Sequence, residues 1–176
     1  MKRFTLLILS FSLFTSTVYA VPAQGHKIMI TAPSPRAVEV GQKVAKKGGN
    51  VVDVAVAVEL TLAVTSPYYA SLGGGGFAMV RMNGDDIKAM DFRETAPILT
   101  HPGFYSDKGE KASIIGSLAV AVPGIAAGIW EIHHKYGKLK WSALFEEPLK
   151  LAAGGFPVSG DWVHLTEGAK ADFNAA

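Results

Sequence analysis

Asn50-Val51-Val52-Asp53-Val54-Ala55-Val56-Ala57-Val58-Glu59-Leu60-Thr61-Leu62-Ala63-Val64 decides the fold. Asn50 is suited to cap free backbone N–H groups, and Asp53 falls in the first helical turn, where the dipole favours an acid. Residues 51–64 are apolar nearly all round, interrupted by Asp53, Glu59 and Thr61. A helix of this length spans roughly 21 Å, short of a bilayer core of about 30 Å. The pattern predicts a helix buried between layers of a globular protein. No stable membrane span is expected.

Upstream, Ser34-Pro35 opens another helix, with Ser34 at the cap and Pro35 preset for the first helical position. Lys46 and Lys47 suit its C-terminus, and Gly48-Gly49 ends it. Residues 27–31 read as a short strand. Downstream, residues 66–76 are a glycine-rich loop, and residues 77–82 and 87–92 are strands. Asn83-Gly84 between them is a hairpin signal, because both residues tolerate positive φ. Residues 97–116 are loop-like. Helices follow over about 124–136, stopped by Gly137, and over about 141–153, with Pro148 bending or dividing the second. Ser159 caps a last helix from Gly160. Strands beside buried helices predict a layered mixture of α and β structure.

Residues 1–20 have the layout of a cleaved secretory signal peptide: Lys2 and Arg3, an apolar run, then Val18-Tyr19-Ala20 before the cut. The full chain carries 17 basic and 15 acidic residues, and the signal removes two of the basic ones. The mature part is therefore neutral, and charge gives no support for a nucleic-acid partner. Cysteine is absent, which is compatible with export without establishing it. The final helical pattern runs into Asn174-Ala175-Ala176 without a stop signal, so the chain is expected to be part of a longer protein.

The chemistry-bearing candidates are few. Gly73 to Gly76 lack the Lys-Ser/Thr of a phosphate loop and precede a strand, so close backbone approach is the reading. His133 and His134 point about 100° apart on a helix and cannot share a metal as an i, i+4 pair can. No zinc spacing occurs, and no Gly-x-Ser-x-Gly elbow. Ser71 reads as a loop hydroxyl that satisfies backbone groups. That leaves Asp91-Phe92-Arg93-Glu94-Thr95-Ala96-Pro97. Arg93 is either in an exposed ion pair with Asp91 or Glu94, worth ~0–1 kcal/mol, or a fork-shaped donor to a substrate carboxylate. The local sequence leaves both readings open.

Five stretches together resemble the γ-glutamyltranspeptidase (glutathione hydrolase) family. They are Ser34-Pro35 leading to Lys47-Gly48-Gly49-Asn50-Val51-Val52-Asp53-Val54-Ala55, then Gly73-Gly74-Gly75-Gly76-Phe77, then the Arg93 stretch, then Gly116-Ser117-Leu118-Ala119-Val120-Ala121-Val122-Pro123-Gly124, and Gly155-Phe156-Pro157-Val158-Ser159. The resemblance implies an α+β fold, a four-layer αββα sandwich of the N-terminal-nucleophile hydrolase type, incomplete in this chain. It implies a precursor that cuts itself into a large and a small subunit, with residues 21–176 as the N-terminal portion of the large one. A threonine freed at the start of the small subunit attacks the γ-glutamyl amide of glutathione, and the glutamyl group passes to water or an amino acid. Arg93 would bind the glutamyl α-carboxylate.

On this resemblance the nucleophile lies outside the chain, and no catalytic residue, metal or organic cofactor is expected within it. The expected partners are a small γ-glutamyl substrate and the small subunit, in the periplasm or outside the cell. Tyr68 and Tyr69 depart from the small polar residues that many members carry after the loop proline. That departure bears on substrate preference. The alternatives are an acylase of the same fold, acting on cephalosporin side chains or poly-γ-glutamate, and a secreted non-catalytic binding protein.

Overall fold

A computed structural model describes residues 22–175. The signal-peptide reading of residues 1–20 lies outside them. Helix α1, Pro35–Lys46, has Pro35 in its first turn, and Gly48 follows it at φ 88°. Ser34 holds the cap position, but its side chain does not bond the helix N–H groups. Instead the buried Thr65 hydroxyl donates to Ser34 Oγ at 3.1 Å. A buried hydroxyl needs an acceptor, and this one ties the start of α1 to the end of the next helix.

Helix α2, Val51–Thr65, starts on a complete capping box. Asn50 Oδ1 accepts from the N–H groups of Val52 and Asp53, both at 3.0 Å, and Asp53 Oδ2 accepts from Asn50 N–H at 2.8 Å. Valine favours strands, yet the segment is helical. The cap supplies partners for the orphan donors, and a core surrounds most of the cylinder, so tertiary burial overrides propensity. Val52, Val54, Val56, Ala57 and Leu60 are buried, each larger side chain stabilising by about 1.5–3 kcal/mol over exposure. Val40 and Val44 from α1 complete one side of that core. Only the face carrying Val51 and Ala55 stays open.

Asp53 does more than cap. It is fully buried and also accepts from the N–H groups of Lys138 (3.0 Å) and Leu139 (3.2 Å). His133 Nε2 lies 3.3 Å from Asp53 Oδ1 and 3.1 Å from the Leu139 carbonyl. One carboxylate thus fixes the segment after helix α3, Ile125–Tyr136, against the start of α2.

Strands β1 (Phe77–Val80) and β2 (Lys88–Asp91) form an antiparallel pair, with Phe77 opposite Asp91 and Val80 opposite Lys88. Both strands are shorter than the sequence predicts. The turn itself is as expected: Asn83 and Gly84 have φ 37° and 91°, and Asp85 N–H closes on the Met82 carbonyl at 2.7 Å. The ladder gives way at Arg81, whose side chain bonds the Asp85 carbonyl across the turn. Ala78, Val80 and Met90 face the helical core, while Phe77 and Met79 are about 70% exposed or more on the other face.

Residues 27–31 form no strand. No ladder joins them to another described segment, and only Ile30 packs on the core. The expected helix over 141–153 divides at Phe145, into a 3-10 turn, Trp141–Leu144, and helix α4, Glu146–Gly154. Pro148 thus sits in the first turn of α4, where its missing N–H is no loss. Glu147 of α4 takes hydrogen bonds from Lys150 and from Lys43 of α1, which hold its carboxyl down at about 2. Helix α5, Gly160–Ala175, begins with Ser159 Oγ accepting from Trp162 N–H at 3.2 Å. Among the described residues, helices cover one face of a two-stranded sheet, and no helix is long and apolar enough to cross a membrane.

Candidate functional site

Three stretches far apart in sequence converge on Arg93. The backbone of Gly76 exchanges hydrogen bonds with that of Phe92, at 3.0 and 3.3 Å, which extends the ladder by one pair. Thr95 and Val122 exchange a second pair, at 2.8 and 3.2 Å, beyond the arginine. The N–H groups of Gly124 and Ile125, at the start of α3, both donate to the Gly74 carbonyl. Arg93 is thereby fixed between two paired residues, although it lies two positions past the end of β2.

The glycines permit this packing. A Cβ on Gly75 would lie 2.6 Å from Glu94 N, 2.7 Å from Phe92 O and 2.8 Å from Arg93 C. All three are backbone atoms and cannot swing away. Close approach, the reading given to Gly73 to Gly76 from sequence, holds at Gly75 and Gly76, where a Cβ on Gly76 would lie 3.1 Å from the Phe92 ring, and not at Gly73 or Gly74. Gly75→Ala is expected to cost about 1–3 kcal/mol through overpacking and to displace Arg93. Gly73→Ala is the control, since its nearest contact would be Ser71 Oγ at 3.4 Å. Thermal melts of the two variants should separate, with only Gly75→Ala falling.

The side chain of Arg93 is 57% exposed. Its Nε lies 3.2 Å from Glu94 Oε2, and its carbon sits 5.9 Å from the Phe77 ring centroid. Asp91 is engaged elsewhere, accepting from the backbone N–H of Arg93 at 2.9 Å. The local ion pair therefore exists, with Glu94 rather than Asp91. It is an electrostatic contact and not an aligned hydrogen bond, because Glu94 Oε2 is buried without a hydrogen-bond partner among the described residues. No hydrogen bond joins an Arg93 side-chain nitrogen to an acceptor among the described residues, and more than half of the side chain is exposed.

Arg93 and Glu94 line a cavity of about 800 Å³ between the loop after α2, strand β1 and the open face of α2. Its walls are largely apolar: Val51, Val52, Ala55, Phe77 and Ile129. Glu59 contributes a carboxyl that burial pushes up from its ordinary value. A mostly apolar cleft with few convergent polar groups is the usual form of a small-molecule site. The arrangement can bind a carboxylate. Among the described residues it contains no cluster of His, Asp and Glu able to hold a metal.

The other sequence candidates fall elsewhere. Ser71 Oγ accepts from Gly73 N–H at 3.1 Å and satisfies the loop backbone, as read from sequence. His133 is buried against Asp53 and Trp141, whereas His134 is exposed and stacks on Trp130. Sequence reasoning missed the extent of Asp53's role. Its position three residues after Asn50 signalled the capping box, but nothing local signalled bonds to residues 138 and 139.

Residues 37–176 match the gamma-glutamyltranspeptidase family, and the chain belongs to that family. It is similar to the glutathione hydrolase proenzyme of Pseudomonas aeruginosa, with 38% identity over 164 residues, covering 91% of this chain and 29% of that protein. It is also similar to the crystal structure of Helicobacter pylori gamma-glutamyltranspeptidase, at TM-score 0.84 and 36% identity, covering 88% of this chain and 46% of that one. A cephalosporin acylase from Bacillus halodurans shares the fold at TM-score 0.72 and 24% identity, over 90% of this chain and 32% of that one. The chain spans less than half the length of each.

Proposed function

We propose that the chain is the N-terminal part of an exported γ-glutamyl acyltransferase and hydrolase precursor. Residues 1–20 are the signal peptide, and residues 21–176 begin the large subunit. The uncovered sheet face, with Phe77 and Met79, receives the second β layer of an αββα sandwich of the N-terminal-nucleophile hydrolase type. The small subunit, cut from the same precursor, supplies the nucleophilic threonine.

In the reaction, the threonine oxygen adds to the γ-carbonyl of glutathione or a related compound. The C–N bond breaks, and the amine leaves with a proton. Water or an amino acid amine then takes the glutamyl group from the threonine ester. Arg93 forms and breaks no covalent bond. Its Nη pair holds the α-carboxylate, so that the γ-carbonyl rests against the nucleophile, and remote binding energy lowers the barrier by positioning.

The convergence of three motifs on one half-exposed arginine that lines the cavity carries this reading. Family membership supports the reaction class. The shared fold of the acylase keeps a related acylase as the second reading, because fold alone does not set the substrate. Full-length precursor is expected to release chromophore from a γ-glutamyl anilide and to carry a glutamyl adduct on a threonine. Preference for a cephalosporin side chain would favour the acylase. Binding of glutamate without turnover would favour a non-catalytic protein. The 176-residue chain alone is expected to be inactive, and chromophore release by it would contradict the missing-nucleophile account.

A further inference from the structure

We propose that Tyr68 and Tyr69 form an aromatic subsite beside Arg93, which receives an aromatic amine as the leaving group of the donor or as the acceptor. This rests on the γ-glutamyl reading above and adds the class of amine to it. The amine that departs in the first step and the amine that attacks in the second occupy the same place, because one step is the reverse of the other in kind.

Both tyrosines line the same cavity as Arg93. A glutamyl group anchored by its α-carboxylate fills only part of a space of about 800 Å³. Tyr69 leaves 72% of its surface exposed, so packing within the described residues does not explain its size. It is nonetheless held in place. Its ring meets Tyr68 edge to face, at 4.6 Å and 71°. Tyr68 in turn meets Trp162 of α5 at 5.7 Å and 87°, and Trp162 meets Phe156 at 5.7 Å. The loop backbone is also pinned, with the N–H groups of Tyr69 and Ala70 both on the Ser66 carbonyl at 3.0 Å. A ring fixed in this way binds with little loss of rotamer freedom. Its open side offers offset or edge-on contact to a second ring. The cavity therefore has a cation for a carboxylate and an aromatic wall for a ring, with the apolar Val51 and Ala55 also lining it.

The test uses the full-length precursor and the ratio of kcat/KM for γ-glutamyl anilide to that for γ-glutamyl methylamide. Tyr69→Ala is expected to lower this ratio about three- to tenfold, the range of one aromatic contact. Tyr69→Leu, which keeps apolar bulk without a ring, should lower it as well, and Tyr69→Phe should retain it. A thermal melt of each variant accompanies the kinetics. An unchanged ratio in Tyr69→Ala and Tyr69→Leu overturns the subsite, as does an equal fall on both substrates. A wild-type precursor that turns over neither amide overturns the γ-glutamyl reading itself, and the subsite with it.

Discussion

Arg93→Lys in the full-length precursor is expected to lose most of kcat/KM on γ-glutamyl donors. The guanidinium offers two parallel donors at fixed spacing, and an ammonium is a point charge that cannot reproduce the fork. A hydrogen bond to a charged group contributes ~1.5–3 kcal/mol. Loss of one of the two therefore lowers kcat/KM roughly 10- to 100-fold, at tenfold per 1.4 kcal/mol. Arg93→Ala removes both and should fall further. Stability should change little in Arg93→Lys, which keeps a cation beside the buried Glu94 Oε2, and fall further in Arg93→Ala, which leaves that oxygen without one. Steady-state kinetics with a thermal melt on each variant checks both halves. Near-normal kinetics in Arg93→Lys would leave the arginine as a surface residue.

Asp53→Ala is expected to have the largest effect on stability. The carboxylate is fully buried and serves three backbone N–H groups, those of Asn50, Lys138 and Leu139. Its removal strands these donors, each at ~1–3 kcal/mol, and opens a small void. A total of roughly 3–9 kcal/mol is comparable with the whole stability of many domains. The protein should express poorly or melt far below wild type, and the fraction that folds should keep its kcat/KM. Asp53→Asn keeps one acceptor oxygen and should lie between the two. A wild-type melt for Asp53→Ala would show that the three donors find other partners.

The helices were legible in the sequence where their ends carry local chemistry. Asn50 with Asp53, Pro35, Gly48 and Ser159 each marked a boundary that the structure retains. Ser34 looked equally clear and misled, because a hydroxyl can bond a neighbour across the core as readily as its own helix, and Thr65 lies 31 residues away in sequence. Residues 27–31 look like a strand by composition, but a strand exists only with a partner to pair with, and none of the described residues provides one. Pro148 drew the break in the fourth helical segment to itself, when the chain turns at Phe145 and leaves the proline where helices tolerate it.

At the candidate site, sequence alone could not choose between an ion pair and a carboxylate clamp for Arg93. The structure contains the ion pair to Glu94 and leaves the Arg93 side chain 57% exposed, and the carboxylate clamp is the proposal built on that exposure. Close approach was read correctly for Gly75 and Gly76 but not for Gly73 and Gly74. What these two approach, the backbone of Phe92 to Glu94 and the Phe92 ring, is a tertiary fact that local spacing does not encode.

The central claim is that Arg93 recognises the α-carboxylate of a γ-glutamyl donor. The most direct test compares γ-glutamyl anilide with 4-aminobutyryl anilide, which lacks only that carboxylate, on wild-type and Arg93→Ala full-length precursor. Wild type should prefer the γ-glutamyl compound by at least about 100-fold, from two charge-assisted hydrogen bonds, and Arg93→Ala should lose nearly all of that preference. A preference that survives intact in Arg93→Ala would contradict the claim.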